Sequence, residues 1–247
     1  MKRFKDKLIL VLGMGSGIGL SAAQQFAKDG AKIVGVGRDI HSLNSSLLTL
    51  EGEGHYIIDA DALDEQRVKE ITKYGKENGG YYGCVCCAGS LEMRPILFTE
   101  PKNLIDSFNA NVVTAINVTK AASKAVGVDG LSVVWLSSVA AVRGTAGFSA
   151  YSASKGALIS AARVAAIELA NKNIRVNVII AGVVETQMSG AWLKFLTPEQ
   201  KTGVEKSHLL GLGKPQDVSN AIAFLVSSDS SWITGSSIVV DGGLSAN

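Results

Sequence analysis

Five apolar residues, Leu8-Ile9-Leu10-Val11-Leu12, run directly into Gly13-Met14-Gly15-Ser16-Gly17-Ile18-Gly19, and this junction constrains the fold more than any other stretch. A short apolar run closed by a turn signal reads as a strand buried on both faces, the usual state in a parallel sheet. Leu20–Lys28 has helical composition and ends at Asp29-Gly30, where Gly30 suits a carboxyl-terminal cap. A second apolar run, Lys32–Gly37, completes a strand–helix–strand unit. In such a unit the glycines let the backbone approach a pyrophosphate closely. The helix amino terminus adds free N–H groups and a positive dipole. Gly13, Ser16, Gly17, Ile18 and Gly19 are therefore candidate dinucleotide contacts. No Gly-Lys-Ser/Thr follows, which argues against a triphosphate-cradling loop.

The alternation continues to the end of the chain. Strands are expected at residues 55–58, 82–87, 133–137, 175–180 and 237–240. Helices are expected at 42–50, 64–76, 102–126, from about Tyr151 to 171, and at 215–226. This order specifies an α/β fold built on a doubly wound parallel sheet. The 247 residues suit one domain, 1–247, and are few for two. Residues 91–101 read as a surface loop. Residues 188–208 show no clear strand, and short helices there would form a mobile substrate loop or lid.

Lys2-Arg3-Phe4-Lys5-Asp6-Lys7 ahead of the first apolar run imitates a secretory leader, but the run is broken by glycine too soon. No uncharged apolar stretch is long enough to span a bilayer, so a cytoplasmic chain without a membrane partner is expected. A net charge of +2 with no Lys/Arg block predicts no nucleic-acid partner. Hydrophobic residues make up 47% and charged ones 19%, a balance that predicts apolar faces covered by other subunits. Cys84, Cys86 and Cys87 crowd one apolar segment with no His nearby, so buried reduced thiols are expected and no metal site.

The chemistry-bearing stretch is Ser149-Ala150-Tyr151-Ser152-Ala153-Ser154-Lys155, which opens an Ala-rich helix. Four residues of separation place Tyr151 and Lys155 on one helix face. A phenol is a poor base at neutral pH, and an ammonium group one turn away would favour its ionised form. Ser138 ends an apolar run and should sit at the carboxyl end of a strand, where open α/β sheets bind ligands. Asn109, Asn111 and Asn117 lie inside a helical pattern that Asn does not favour, which invites a special role.

With these residues in view, the chain resembles the single-domain branch of the short-chain dehydrogenase/reductase family along essentially its whole length, and is similar to 3-oxoacyl-carrier-protein reductases. The matching positions are Gly13, Gly17-Ile18-Gly19, Asp59, Ala88-Gly89, Asn111, Ser138, Tyr151 with Lys155, Arg175-Val176-Asn177, Gly182 with Thr186, and Asp241-Gly242-Gly243. The resemblance implies a Rossmann fold and a hydride exchange between a nicotinamide cofactor and a substrate carbon. It makes Tyr151 the acid/base, and Lys155 the group that lowers the Tyr151 pKa and holds the nicotinamide ribose. It makes Ser138 the partner of the substrate oxygen and gives Asn111 a water linking Lys155 to solvent. It further implies Asp59 at the adenine, and Gly182, Val184 and Thr186 near the nicotinamide. It also implies a homotetramer built on the helices around 111–126 and 152–170.

The chain departs from the family pattern at three places. Leu12 stands where a Thr is usual, Cys86-Cys87 where Asn-Asn is usual, and Ala181 where a Pro is usual. Arg38 follows the second strand and Gly37 stands where NAD-preferring relatives carry an acid, so NADP(H) is the expected cofactor, with NAD(H) left open. The expected reaction interconverts a secondary alcohol and a ketone. The substrate would be a 3-oxoacyl thioester or a small molecule such as a sterol or sugar. Lys120, Lys124 and Lys172 offer a modest basic surface for an acidic carrier protein, although solvated helix faces explain them more simply. The rival from another class is a non-catalytic dinucleotide-binding sensor or scaffold on the same fold.

Overall fold

The structure, a computed structural model, describes residues 2–246. Seven parallel strands form one sheet: β1 (Leu8–Leu12), β2 (Lys32–Gly37), β3 (Tyr56–Asp59), β4 (Gly83–Cys86), β5 (Leu131–Ser138), β6 (Ile174–Ala181) and β7 (Ser237–Val240). Their order is β3-β2-β1-β4-β5-β6-β7. The order reverses between β1 and β4, and that switch point opens a crevice beyond the carboxyl ends of the strands.

Alternate residues of each strand feed two apolar layers. Leu8, Leu10 and Leu12 pack into one core and Ile9 and Val11 into the other, which is why the run is apolar at every position. Cys84 and Cys86 point into the first layer while Cys87 packs at the second, and all three are free thiols. Helices α1 (Gly17–Lys28), α2 (Ile40–Leu47) and α9 (Pro215–Val226) belong to one face. Helices α3 (Glu65–Glu77), α4 (Pro101–Phe108), α5 (Thr114–Ala122) and α6 (Ser149–Leu169) belong to the other. No described helix is long and apolar enough to cross a membrane.

One expectation changes. The single helix expected over 102–126 is α4 and α5 joined by a π-turn, Asn109–Val113, that carries Asn111. The 188–208 segment holds α7 (Gln187–Leu193) and α8 (Pro198–Ser207), each opened by a Thr whose hydroxyl accepts a backbone N–H.

Helix α6 approaches the sheet through Ala150, Ser154, Leu158, Ala162 and Ala166, a buried stripe spaced by four. Mostly small side chains along that stripe let the helix backbone lie close to β5 and β6, and this closeness sets the site geometry.

Candidate active site

Strand β5 carries Ser138 to the crevice, where its hydroxyl accepts the Ala140 N–H at 3.2 Å and starts a short 3-10 turn. One strand residue earlier, the Ser137 hydroxyl donates to the Lys155 carbonyl at 2.8 Å and pins α6 against β5. Tyr151 and Lys155 are 8% and 4% exposed, one turn apart on that helix. The Lys155 ammonium donates to the Leu136 carbonyl at 2.8 Å and lies 5.7 Å from the centroid of the Tyr151 ring.

Burial is the largest influence on both titrating groups. It raises the Tyr151 pKa above the ordinary phenol value, and the facing Ser138 hydroxyl pulls the other way. The net shift is upward because desolvation of a phenolate outweighs the help of the Ser138 hydroxyl. Burial brings Lys155 down to about 8, opposed by its neighbour Cys87. The Cys87 thiol is itself pushed up to about 12, mainly by burial, so it faces Lys155 as a neutral group at pH 7.

Asn111 is 1% exposed and its side chain is fully engaged. Its Oδ1 accepts the Ser90 N–H at 3.0 Å. Its Nδ2 donates to the Ser90 carbonyl at 3.1 Å and to the Ser107 and Ser154 hydroxyls at 3.2 and 2.9 Å. A Cβ at Gly89 would run into Asn111 Oδ1 and lie 3.3 Å from Lys155 Nζ, so only glycine fits there.

These groups share a cleft of about 1130 Å³. It is lined by Asn111, Ser138, Tyr151 and Lys155, and by Gly13, Ser16, Gly17, Ile18, Gly19, Arg38, Ala88, Gly89, Gly182, Val184 and Thr186. Asp59 is the exception. It ends β3, paired with Gly37, and the chain turns over the cleft two residues later, bringing Asp61 into the lining instead. Asp61 holds that turn, its carboxylate accepting the Leu63 N–H at 2.9 Å.

The glycine turn fits a dinucleotide pyrophosphate. Gly13 and Gly17 have φ of +85° and +55°, which only glycine adopts readily. A Cβ at Gly19 would collide with the Gly13 carbonyl. Ser16 is the N-cap of α1, yet its hydroxyl makes no capping bond, so both it and the first-turn N–H groups are available to an anion. At the far end of the cleft, the Asp39 side chain caps α2 by accepting the His41 and Ser42 N–H groups at 3.0 and 3.3 Å. Its hydrogen bonds to Ser42 hold its carboxyl below the ordinary value. Arg38 has no ion-pair partner among the described residues, and Ser42 lies beside it in the lining.

The other wall of the cleft is aromatic. Tyr151, Phe148 and Trp192 stand edge to face, with ring centroids 5.8 and 5.7 Å apart. Trp192 comes from α7, so the 188–208 segment contributes to this wall. Buried His208 ties that segment to the end of β6: its Nε2 accepts the Val183 N–H at 3.1 Å and its Nδ1–H donates to the Val204 carbonyl at 2.8 Å. Arg143 lies in the same lining.

A family profile described as Enoyl-(Acyl carrier protein) reductase matches residues 13–245. The 3-oxoacyl-(acyl-carrier-protein) reductase of Thermotoga maritima is 32% identical, across 98% of this chain and 99% of that protein. Glucose 1-dehydrogenase of Gluconobacter oxydans is also 32% identical, across 98% and 93%. A crystal structure of a short-chain dehydrogenase/reductase from Brucella melitensis, titled glucose/ribitol dehydrogenase, superposes with a TM-score of 0.90 at 31% identity. That likeness covers 99% of both chains.

Proposed function

Because the chain belongs to the short-chain dehydrogenase/reductase family of NAD(P)-dependent oxidoreductases, we propose that it is an NADP(H)-dependent reductase of ketones, working through Ser138, Tyr151, Lys155 and Asn111. The observation that carries this reading is the convergence of all four beside the glycine cradle in one cleft.

The cofactor, when bound, supplies or accepts the hydride. Ser138 orients the substrate oxygen by hydrogen bonding. Tyr151, neutral because it is buried, donates its proton to that oxygen as charge develops there. Burial keeps this phenol protonated but makes it the weaker acid, so the transfer depends on the negative charge that develops on the substrate oxygen and on the Lys155 ammonium beside it. Lys155 carries its charge below about pH 8 and can stabilise the phenolate left behind. With the Asn111 side chain saturated by Ser90, Ser107 and Ser154, the water that reprotonates this pair falls to the Asn111 backbone.

The NADP(H) preference rests on Arg38, whose guanidinium is unpaired, and on Asp39, whose carboxylate is engaged in the α2 cap. Arg38→Ala should weaken NADPH binding about ten- to a hundredfold while leaving NADH nearly unchanged. Equal weakening of both cofactors would show Arg38 to be an ordinary loop residue. The reductase assignment itself is tested by loss of NADPH absorbance with a panel of ketones. Tyr151→Phe should bind cofactor normally and lose about 10²- to 10⁴-fold in kcat. Near-normal turnover by that variant would refute the assigned role.

Docking on a carrier protein gains little support. Lys124 follows α5 and Lys172 precedes β6, both at the amino-terminal end of the sheet. Ser138 lies at the opposite end of the eight-residue strand β5, roughly 23 Å away at ~3.3 Å per residue.

A further inference from the structure

Of the strong cations on the lining, Arg38 is assigned to the cofactor and Lys155 to the proton relay, which leaves Arg143 without a task. Its backbone N–H donates to the Val139 carbonyl at 2.8 Å, which fixes it one turn beyond Ser138. One guanidinium nitrogen, Nη1, donates to the Leu244 carbonyl at 2.8 Å and steadies the side chain across the rim. Among the described residues the remaining N–H groups have no partner and no carboxylate lies within ion-pair distance. The acids that line the cleft do not supply one: Asp39 caps α2, Asp61 holds its own turn, and Asp106 makes no ion pair. A guanidinium with one edge anchored and another free is preorganised for bidentate pairing with a carboxylate. The same lining carries the apolar wall of Phe148, Trp192 and Leu91, packed about Tyr151.

We propose that the substrate is an oxo-acid: its keto group meets Ser138 and Tyr151, its apolar body lies on Phe148 and Trp192, and its carboxylate pairs with Arg143. The proposal rests on the reductase reading and adds the substrate class to it. Proton and hydride transfer occur at the keto carbon and oxygen, and the carboxylate is unchanged by the reaction. Arg143 is a specificity residue that acts on binding, so its loss should appear in KM and not in kcat.

The test compares wild type with Arg143→Met, which keeps most of the side-chain stem. Substrates are oxo-acids of increasing chain length and their matched carboxamides, with NADPH as reductant. Wild type should prefer one length of oxo-acid over its carboxamide by about tenfold or more in kcat/KM. Arg143→Met should erase that preference through KM alone and leave the carboxamide unaffected. Equal use of acid and amide by wild type overturns the proposal. So does an equal loss on both in the variant, which would mark Arg143 as a structural tie to Leu244. A binding arm separates this from failure of the reductase reading. With NADP⁺ present, 3-phenylpropanoate should quench Trp192 fluorescence at a lower concentration than 3-phenylpropanamide does. Arg143→Met should remove the difference, and Trp192→Phe should remove the signal. If no ketone is turned over but this difference holds, the carboxylate site stands and the reductase reading falls. If the acid and the amide quench alike, the carboxylate site falls.

Discussion

An ammonium group inside a protein is unfavourable, and Lys155 shows the consequence for a catalytic site. The folded chain binds its proton with a pKa of about 8, against 10.5 for an unperturbed lysine. Between those values the unfolded chain binds more protons than the folded one, so stability rises with pH across that window. Below about pH 8 the folded protein carries the full penalty. Lys155→Met should therefore stabilise the cofactor-free protein by on the order of 2 kcal/mol at about pH 7. That figure already allows for loss of the bond to the Leu136 carbonyl, worth about 1 kcal/mol. The advantage should shrink as pH rises through 8 and vanish near 10.5, while activity is lost throughout. Urea unfolding of both proteins at about pH 7 and pH 10 measures it. A Lys155→Met protein less stable than wild type at pH 7 would mean that the ammonium is stabilised by partners other than Leu136 and Cys87.

At the scale of elements, the motif Arg175-Val176-Asn177 has a structural task. Arg175 on β6 donates to the Leu225, Ser227 and Ile233 carbonyls at 2.9, 3.1 and 3.1 Å. Asn177 donates to the Ile233 carbonyl at 2.8 Å and accepts the Ser236 N–H at 3.1 Å. Together they fasten the end of α9 and the turn into β7, whose last residue leads to the Asp241 turn beside Gly182. Arg175→Met should lower unfolding free energy by about 2–4 kcal/mol, because three carbonyls lose charge-assisted partners. Its effect on kcat should be small. A large fall in kcat without a loss of stability would place Arg175 in the reaction itself. The elements were legible in the sequence because each one announces itself locally: apolar runs for strands, Gly30 after α1, Pro215 at the start of α9. What depended on distant partners was not legible. The π-turn at Asn109–Val113 accompanies the bonds that hold Asn111 to Ser90 and Ser154, and its sequence reads as ordinary helix. Asp59 and Asp61 look alike after a strand, and only the pairing of Asp59 with Gly37 shows which one clears the sheet. Arg143, Phe148, Trp192 and His208 lie in loops and short helices, and are brought together by folding alone. The proposed catalytic set drew on a strand end and a four-residue helical spacing, which are local signals, and on the family resemblance for the role of each residue. At Cys86-Cys87 the Cys87 backbone N–H reaches the Leu12 carbonyl at 2.9 Å, a bond that does not depend on the side chain there.

For the whole molecule, the unexplained feature is how much apolar surface one chain leaves open. Helices α4 and α5 with the turn between them expose Ile105, Phe108 and Ile116 at 59%, 38% and 41%. Helix α6 exposes Val164 and Ile167 at 54% and 80%, with Ser160 and Arg163 completing a stripe at helical spacing. Scattered apolar residues need no explanation, but stripes on two neighbouring helices suit a self-complementary interface. These are the helices on which a tetramer was expected from the sequence, and their inner faces hold Asn111, Tyr151 and Lys155. Assembly would therefore clamp the helices that carry the catalytic groups. Light scattering at micromolar concentration should give a multiple of the 25.8 kDa chain mass, and a tetramer if both stripes and the carboxyl-terminal edge are used. Ile167→Glu places a carboxylate in the middle of an apolar contact, and twofold symmetry brings a second one near it. The desolvation of both charges should break that interface and lower the mass. Because Ile167 faces away from the cleft, the dissociated protein should still bind NADPH. Its thermal stability should fall, and turnover should fall with it as α6 loses its outer support. A wild-type protein of single-chain mass would rule out this assembly, and an Ile167→Glu variant of unchanged mass would move the interface off α6.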